Sequence, residues 1–107
     1  MEVGNKDKKI GVFVYECLGT AFIMAALIIG DGMYGSGCFY TTIAMMCIAW
    51  NVSGGHFNPA ISLGMFVAEK KWGSDLIPLL LMVGGQFAGA FLGILFGFMA
   101  VADATYQ

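Results

Sequence analysis

Apolar and polar positions along this chain are sorted into blocks. A polar start over residues 1–9 gives way to an apolar run from Ile10 to Ile29 that holds a single charge, Glu16. Gly30-Asp31-Gly32 and Gly35-Ser36-Gly37 mark a short turn. A second apolar run starts at Tyr34 or Gly37 and ends at Ala49 or Trp50. Asn51 to Asn58 is polar and glycine-bearing, Pro59 to Val67 is apolar again, and Glu69 to Asp75 forms a charged connector containing Trp72. The last run, Leu76 to Val101, has no charged residue over its 26 positions, and a short polar tail follows from Asp103 to Gln107.

Lengths decide what these blocks are. At ~1.5 Å per residue, a run of ~20 residues crosses a hydrocarbon core of roughly 30 Å. The stretch after Asn58 reaches only about 14 Å as a helix, half of that thickness. A segment too short to cross, set between segments that do, reads as a re-entrant half-helix. The pattern therefore predicts an all-α membrane protein. Residues 1–107 form one unit with spans over about 10–29, 34–50 and 76–101 and a half-helix over about 58–67.

Composition agrees. Of the 107 residues, 59% are apolar and 11% charged, too few charges to keep so small a domain in solution. All the basic residues are lysines, which excludes an arginine grip on phosphate or nucleic acid. Lys6, Lys8 and Lys9 precede the first span and Lys70 and Lys71 lie between the second and third, so all fall on one side. By the positive-inside bias the N-terminus and the 69–75 connector face the cytoplasm or its equivalent. The same bias argues against copies inserted in both orientations. The first apolar stretch is too long for a cleaved signal peptide and further spans follow it. Cys17, Cys38 and Cys47 offer neither a disulfide framework nor metal-ligand spacing and read as small core residues. No metal or other cofactor is expected. Asn51-Val52-Ser53 fits the glycosylation pattern but sits at the inner boundary, where it is expected to stay unmodified. In the last run Gly85, Gly89, Gly93 and Gly97 recur every four residues, a stripe on which a neighbouring backbone can pack closely.

The candidate chemistry lies in Ser53-Gly54-Gly55-His56-Phe57-Asn58-Pro59-Ala60. Two glycines let the backbone turn close to other helices. Asn58 is a favoured N-cap, and Pro59 at the first helical position needs no N–H partner. A half-helix beginning here places its positive dipole end near the bilayer midplane. Irregular backbone at that depth is tolerated only where protein covers it or a water-filled path runs beside it. The carbonyls of Gly54, Gly55 and His56 then form a ladder of acceptors, and the Asn58 amide becomes a donor. Such a tube with a positive centre passes neutral polar solutes and excludes protons. Glu16, a lone intramembrane carboxylate, calls for a partner; the plainer alternative is a protonated side chain facing a neighbour. His56 reads as a packing and backbone-positioning residue, since no second ligand or nucleophile accompanies it. No nucleophile–base pair or phosphate loop appears, so an enzyme is not expected.

This string, in its slot after a span, resembles the first half of the major intrinsic protein family, the aquaporins and aquaglyceroporins. Glu16-Cys17-Leu18-Gly19-Thr20 resembles that family's acidic E-x-x-G-T element. Asn58-Pro59-Ala60-Ile61-Ser62-Leu63-Gly64 resembles its half-helix, and Gln86 with Gly89 and Ala90 its third span. The resemblance implies that Asn58 orients the permeating molecule, that Glu16 braces the loop by accepting backbone N–H bonds, and that Gln86 supports the same region. It also implies a pore of two inverted repeats, of which this chain carries one. Ile61 stands where a second half places its filter arginine. Three readings follow: a half-channel for water or small neutral solutes completed by a second-half chain, part of a longer channel, or a structural subunit of a larger membrane complex that does not transport. The partners implied are the lipid bilayer and another membrane chain.

Overall fold

The computed structural model describes residues 6–30 and 35–105, with side chains through 102. Four helices follow one another: α1 (Lys6–Ile29), α2 (Ser36–Ala49), α3 (Pro59–Glu69) and α4 (Trp72–Thr105). α1 and α4 are both long and apolar enough to cross a membrane. α2 has 14 residues and α3 has 11, about 21 Å and 16 Å long.

Two boundaries depart from the sequence expectation. The connector over 69–75 is largely helical: α4 begins at Trp72, leaving Lys70 and Lys71 as the link. Lys70 ends α3 in the left-handed conformation (φ 54°), which turns the chain sharply enough for a new helix to start at once. Asp75 lies in the first turn of α4, buried to 1% exposure, with its N–H bonded to the Lys71 carbonyl at 2.9 Å. A carboxylate there complements the helix dipole. Pro78 comes early in α4 and does not end it. At the other end the helix continues through Thr105, so residues 103–105 of the polar tail are helical. The first five residues, residues 31–34 (with Asp31 and Gly32 of the expected turn, and Tyr34) and the final two lie outside the described residues.

The packing is organised by α1 against α4, which run parallel. Gly85 lies against Phe13 and Glu16, Gly89 against Cys17, Gly93 against Ala21 and Gly97 against Ile28, so contacts climb both helices together. A Cβ at Gly85 would sit 2.7 Å from the Phe13 carbonyl oxygen, and one at Gly97 would sit 2.9 Å from the Ile28 Cβ. At Gly89 and Gly93 it would overlap the backbone of Cys17 and Ala21 outright. The missing side chains thus let two backbones touch, the means by which helices associate without a hydrophobic drive. α2 runs back alongside α1, its final residue Ala49 fully buried. α3 doubles back along the first part of α4, with Ser62 near Met82 and Gln86.

What is buried and what is exposed is the reverse of a soluble protein. Buried apolar residues are Val12, Ala49, Leu79 and Met82, whereas Glu16, Thr20, Ser53, Ser62, Asp75 and Gln86 are buried polar ones. Phe22, Phe39, Trp50, Phe87, Phe91 and Phe98 lie exposed. Only 22% and 33% of the most apolar windows of α1 and α4 are covered by protein, unlike the core helices of a soluble domain. The polar interior and apolar exterior belong to an all-α membrane protein.

The glycine stripe generates a direct test. Gly89→Ala and Gly93→Ala should each lower stability by about 1–3 kcal/mol through overpacking. Gly64→Ala, which meets open space, should leave it unchanged or slightly raised. Thermal unfolding of the three variants in detergent distinguishes these outcomes.

Candidate functional site

The site begins where α2 ends. The Ala49 carbonyl accepts from the N–H groups of Val52, Ser53 and Gly54 at 2.9, 2.9 and 3.2 Å, closing the helix. Gly54 (φ 87°) and Gly55 (φ 64°) then take conformations that side chains disfavour. Gly55 also leaves little room for one, since a Cβ would fall 3.2 Å from the Met46 Cα. Phe57 adopts φ 52° although it is not glycine, which costs about 1 kcal/mol or more. Two contacts hold it there: its N–H bonds a Glu16 oxygen at 2.7 Å, and its ring lies over Gly19. A Cβ at Gly19 would overlap that ring.

Asn58 returns to extended backbone (φ −151°, ψ 122°) and caps α3, its Oδ1 accepting the Ala60 N–H at 2.9 Å. Its carbonyl accepts the Ser62 N–H at 3.1 Å, and Pro59 occupies the first turn. Because the cap uses Oδ1, the Nδ2 group keeps both protons uncommitted among the described residues. Asn58 and Ala60 are exposed and Pro59 half-buried; Gly55 is buried, while Gly54 and His56 are half-buried.

Glu16, fully buried on α1, joins these pieces. One carboxyl oxygen accepts from Ser53 Oγ at 2.6 Å and from the His56 N–H at 3.0 Å. The other accepts from the Phe57 N–H at 2.7 Å and from Gln86 Nε2 at 2.9 Å. Gln86, on α4, also donates to Ser62 Oγ at 2.8 Å. Ser62 is in turn 3.0 Å from His56 Nδ1. The carboxyl group thus gathers the loop, α1 and α4 around itself, and Ser62 ties α3 to the same network. Ser53 Oγ further accepts the Gly55 N–H at 3.1 Å.

Sequence reasoning assigned no part to Ser53, Ser62 or Gly19 individually. A signal existed for Ser62: it is the one polar residue on α3 between Pro59 and Val67, and four residues after Asn58 it shares that helix face. Nothing in the sequence pairs it with Gln86. No group of three His, Cys, Asp or Glu converges on a common point among the described residues.

Glu16→Gln tests the cage sharply, because it keeps size and replaces an acceptor oxygen with a donor. The new amide group would set its N–H donors against donors already aimed at that position. Each buried donor left unsatisfied costs about 1–3 kcal/mol. Unfolding in detergent should show a larger loss for Glu16→Gln than for Ser53→Ala, which removes one donor of the four.

The family model described as major intrinsic protein matches residues 6–106. Aquaporin Z of Photorhabdus laumondii is 29% identical over 103 residues, covering 90% of this chain and 45% of that protein. Human Aquaporin-9 is 37% identical over 91 residues, 78% of this chain and 29% of its own length. Aquaporin Z of Brucella melitensis is 40% identical over 68 residues, 61% of this chain and 30% of that protein. No solved structure matches significantly. The chain spans less than half the length of these curated relatives. With a family match that runs from the first turn of α1 to the end of α4, this chain belongs to the major intrinsic protein family.

Proposed function

We propose that the chain builds one half of a membrane pore for water or small neutral solutes, completed by a second half-repeat that lies outside these 107 residues. The observation that carries this reading is the end of α3. Its N-terminus is anchored beside Glu16, about halfway along α1, with the Asn58 Nδ2 protons unengaged by the described residues. On this reading α1, α2 and α4 cross the bilayer with the five lysines inside, and α3 enters from that side and stops at the middle. The positive end of α3 repels cations, and the Asn58 amide donates to the oxygen of the passing molecule. The carbonyls of Gly54, Gly55 and His56 accept from it. Relatives named aquaporins support this reading.

The outer face of α3, with Ile61, Leu63, Met65 and Val67 exposed, is the surface that a second half would cover. The absence of arginine favours a second reading. If a narrow filter needs a fixed cation beside the half-helix, the chain cannot supply one by itself, and a non-transporting structural subunit of a larger membrane complex retains the same fold.

Osmotic swelling of proteoliposomes separates the two. The purified chain alone should give no swelling above the lipid background. Reconstituted with a complementing half-repeat, it should swell fast. Asn58→Ala should cut that rate about tenfold, the worth of one hydrogen bond near 1.4 kcal/mol. Fast Asn58-dependent swelling by the chain alone sinks the need for a partner. Copurification with unrelated scaffold or energy-transducing subunits, together with no swelling in any combination, supports the structural reading.

A further inference from the structure

We infer that Ser62 and Gln86 act as positioning residues that fix His56 in one tautomer, with its proton on Nε2. The imidazole then offers a donor, and no acceptor, to an oxygen of the permeating molecule. What the donor meets rests on the half-channel reading; the tautomer itself does not.

The argument is a count of protons. Gln86 Nε2 carries two, and both are committed, one to Glu16 at 2.9 Å and one to Ser62 Oγ at 2.8 Å. Reversing the amide would press its oxygen against a carboxyl oxygen that already accepts from the Phe57 N–H, so Glu16 dictates the orientation. Ser62 Oγ therefore receives a hydrogen bond from Gln86 and has one proton of its own to place. Two acceptors are within reach: His56 Nδ1 at 3.0 Å and Met82 Sδ at 3.9 Å. A thioether is a weak acceptor, and this one stands almost an ångström further away. The proton goes to Nδ1. A ring nitrogen that accepts carries no proton of its own, so the neutral imidazole holds its proton on Nε2.

Nε2 has no hydrogen-bond partner among the described residues. It lies beside Gly54, where an added Cβ would come to 3.4 Å. Two residues on, the Asn58 amide also keeps donors to spare. The loop thus holds two unspent donors in close succession, at His56 and Asn58, each fixed by a bond on the other side of its own group. An oxygen acceptor, in water or in an alcohol, satisfies them; a cation satisfies neither.

His56 is the chain's sole histidine, so the tautomer can be read without ambiguity. The experiment labels histidine with nitrogen-15 in the full chain in lipid bilayers and records which ring nitrogen is bonded to hydrogen at neutral pH. We expect Nε2 protonated and Nδ1 bare, in one population. Ser62→Ala should turn this into a tautomer mixture or reverse it, whereas Ser62→Thr, which keeps the hydroxyl, and Met82→Leu, which removes the competing sulfur, should preserve it. Protonation on Nδ1 in the unaltered protein overturns the proposal, and this outcome needs no variant to fold. So does an unchanged signature in a folded Ser62→Ala protein. Swelling with a complementing half is scored separately: loss of swelling with Nε2 protonated counts against the channel reading alone.

Discussion

The structure depends on the placement of one carboxyl group in an apolar helix. Glu16 costs about 2.5–3.5 kcal/mol to hold at the centre of a membrane helix if nothing compensates it. Its compensation is drawn from two other parts of the chain: the serine hydroxyl and two backbone N–H groups of the loop, and a carboxamide on α4. An irregular loop inside an apolar environment has the opposite difficulty, backbone donors with no water to accept from them. Each solves the other. The carboxyl group supplies acceptors for the loop, and the loop supplies donors for the carboxyl group.

This exchange requires close approach, and the glycines provide it. Gly19 clears space for the Phe57 ring, which holds the left-handed turn next to the carboxyl group. Gly85, one residue before Gln86, lets α4 rest on the backbone of α1 at the level of Phe13 and Glu16. Gly55 lets the loop pass against α2 at Met46. The hydrogen-bond cage and the backbone contacts are one construction. A Cβ at any of these positions would crowd the neighbouring element.

Much of this was legible in the chain of residues. Apolar block lengths mark out the long α1 and α4 from the short α3, and Asn58-Pro59 announces a capped helix start because each residue type has a local mechanical role. The four-residue glycine period marks a contact face for the same local reason, although it does not say that α1 is what lies against it. Glu16 shows on its own that it needs partners, since nothing else in its run is charged. The start of α4 is not legible because the charged connector reads as a link, while the left-handed Lys70 lets helix resume within two residues. Ser62 escaped notice because its partners, Gln86 and His56, come from other elements and reach it only through the fold. What pairs across elements is set by packing, and packing has no local signature.

The parallel register of α1 and α4 has a consequence for the order in which the molecule comes into being. Gly89 lies on Cys17 and Gln86 on Glu16, so the groups that complete the cage are separated by some seventy residues of chain. When α1 leaves the ribosome its carboxyl group has no donor, and it has none until the loop at 53–57 has been synthesised. The Gln86 bond waits longer still. The finished half-repeat can close only after α4 has been made and laid parallel to the first helix. The residue that organises the native state is therefore the one whose last partner is synthesised latest.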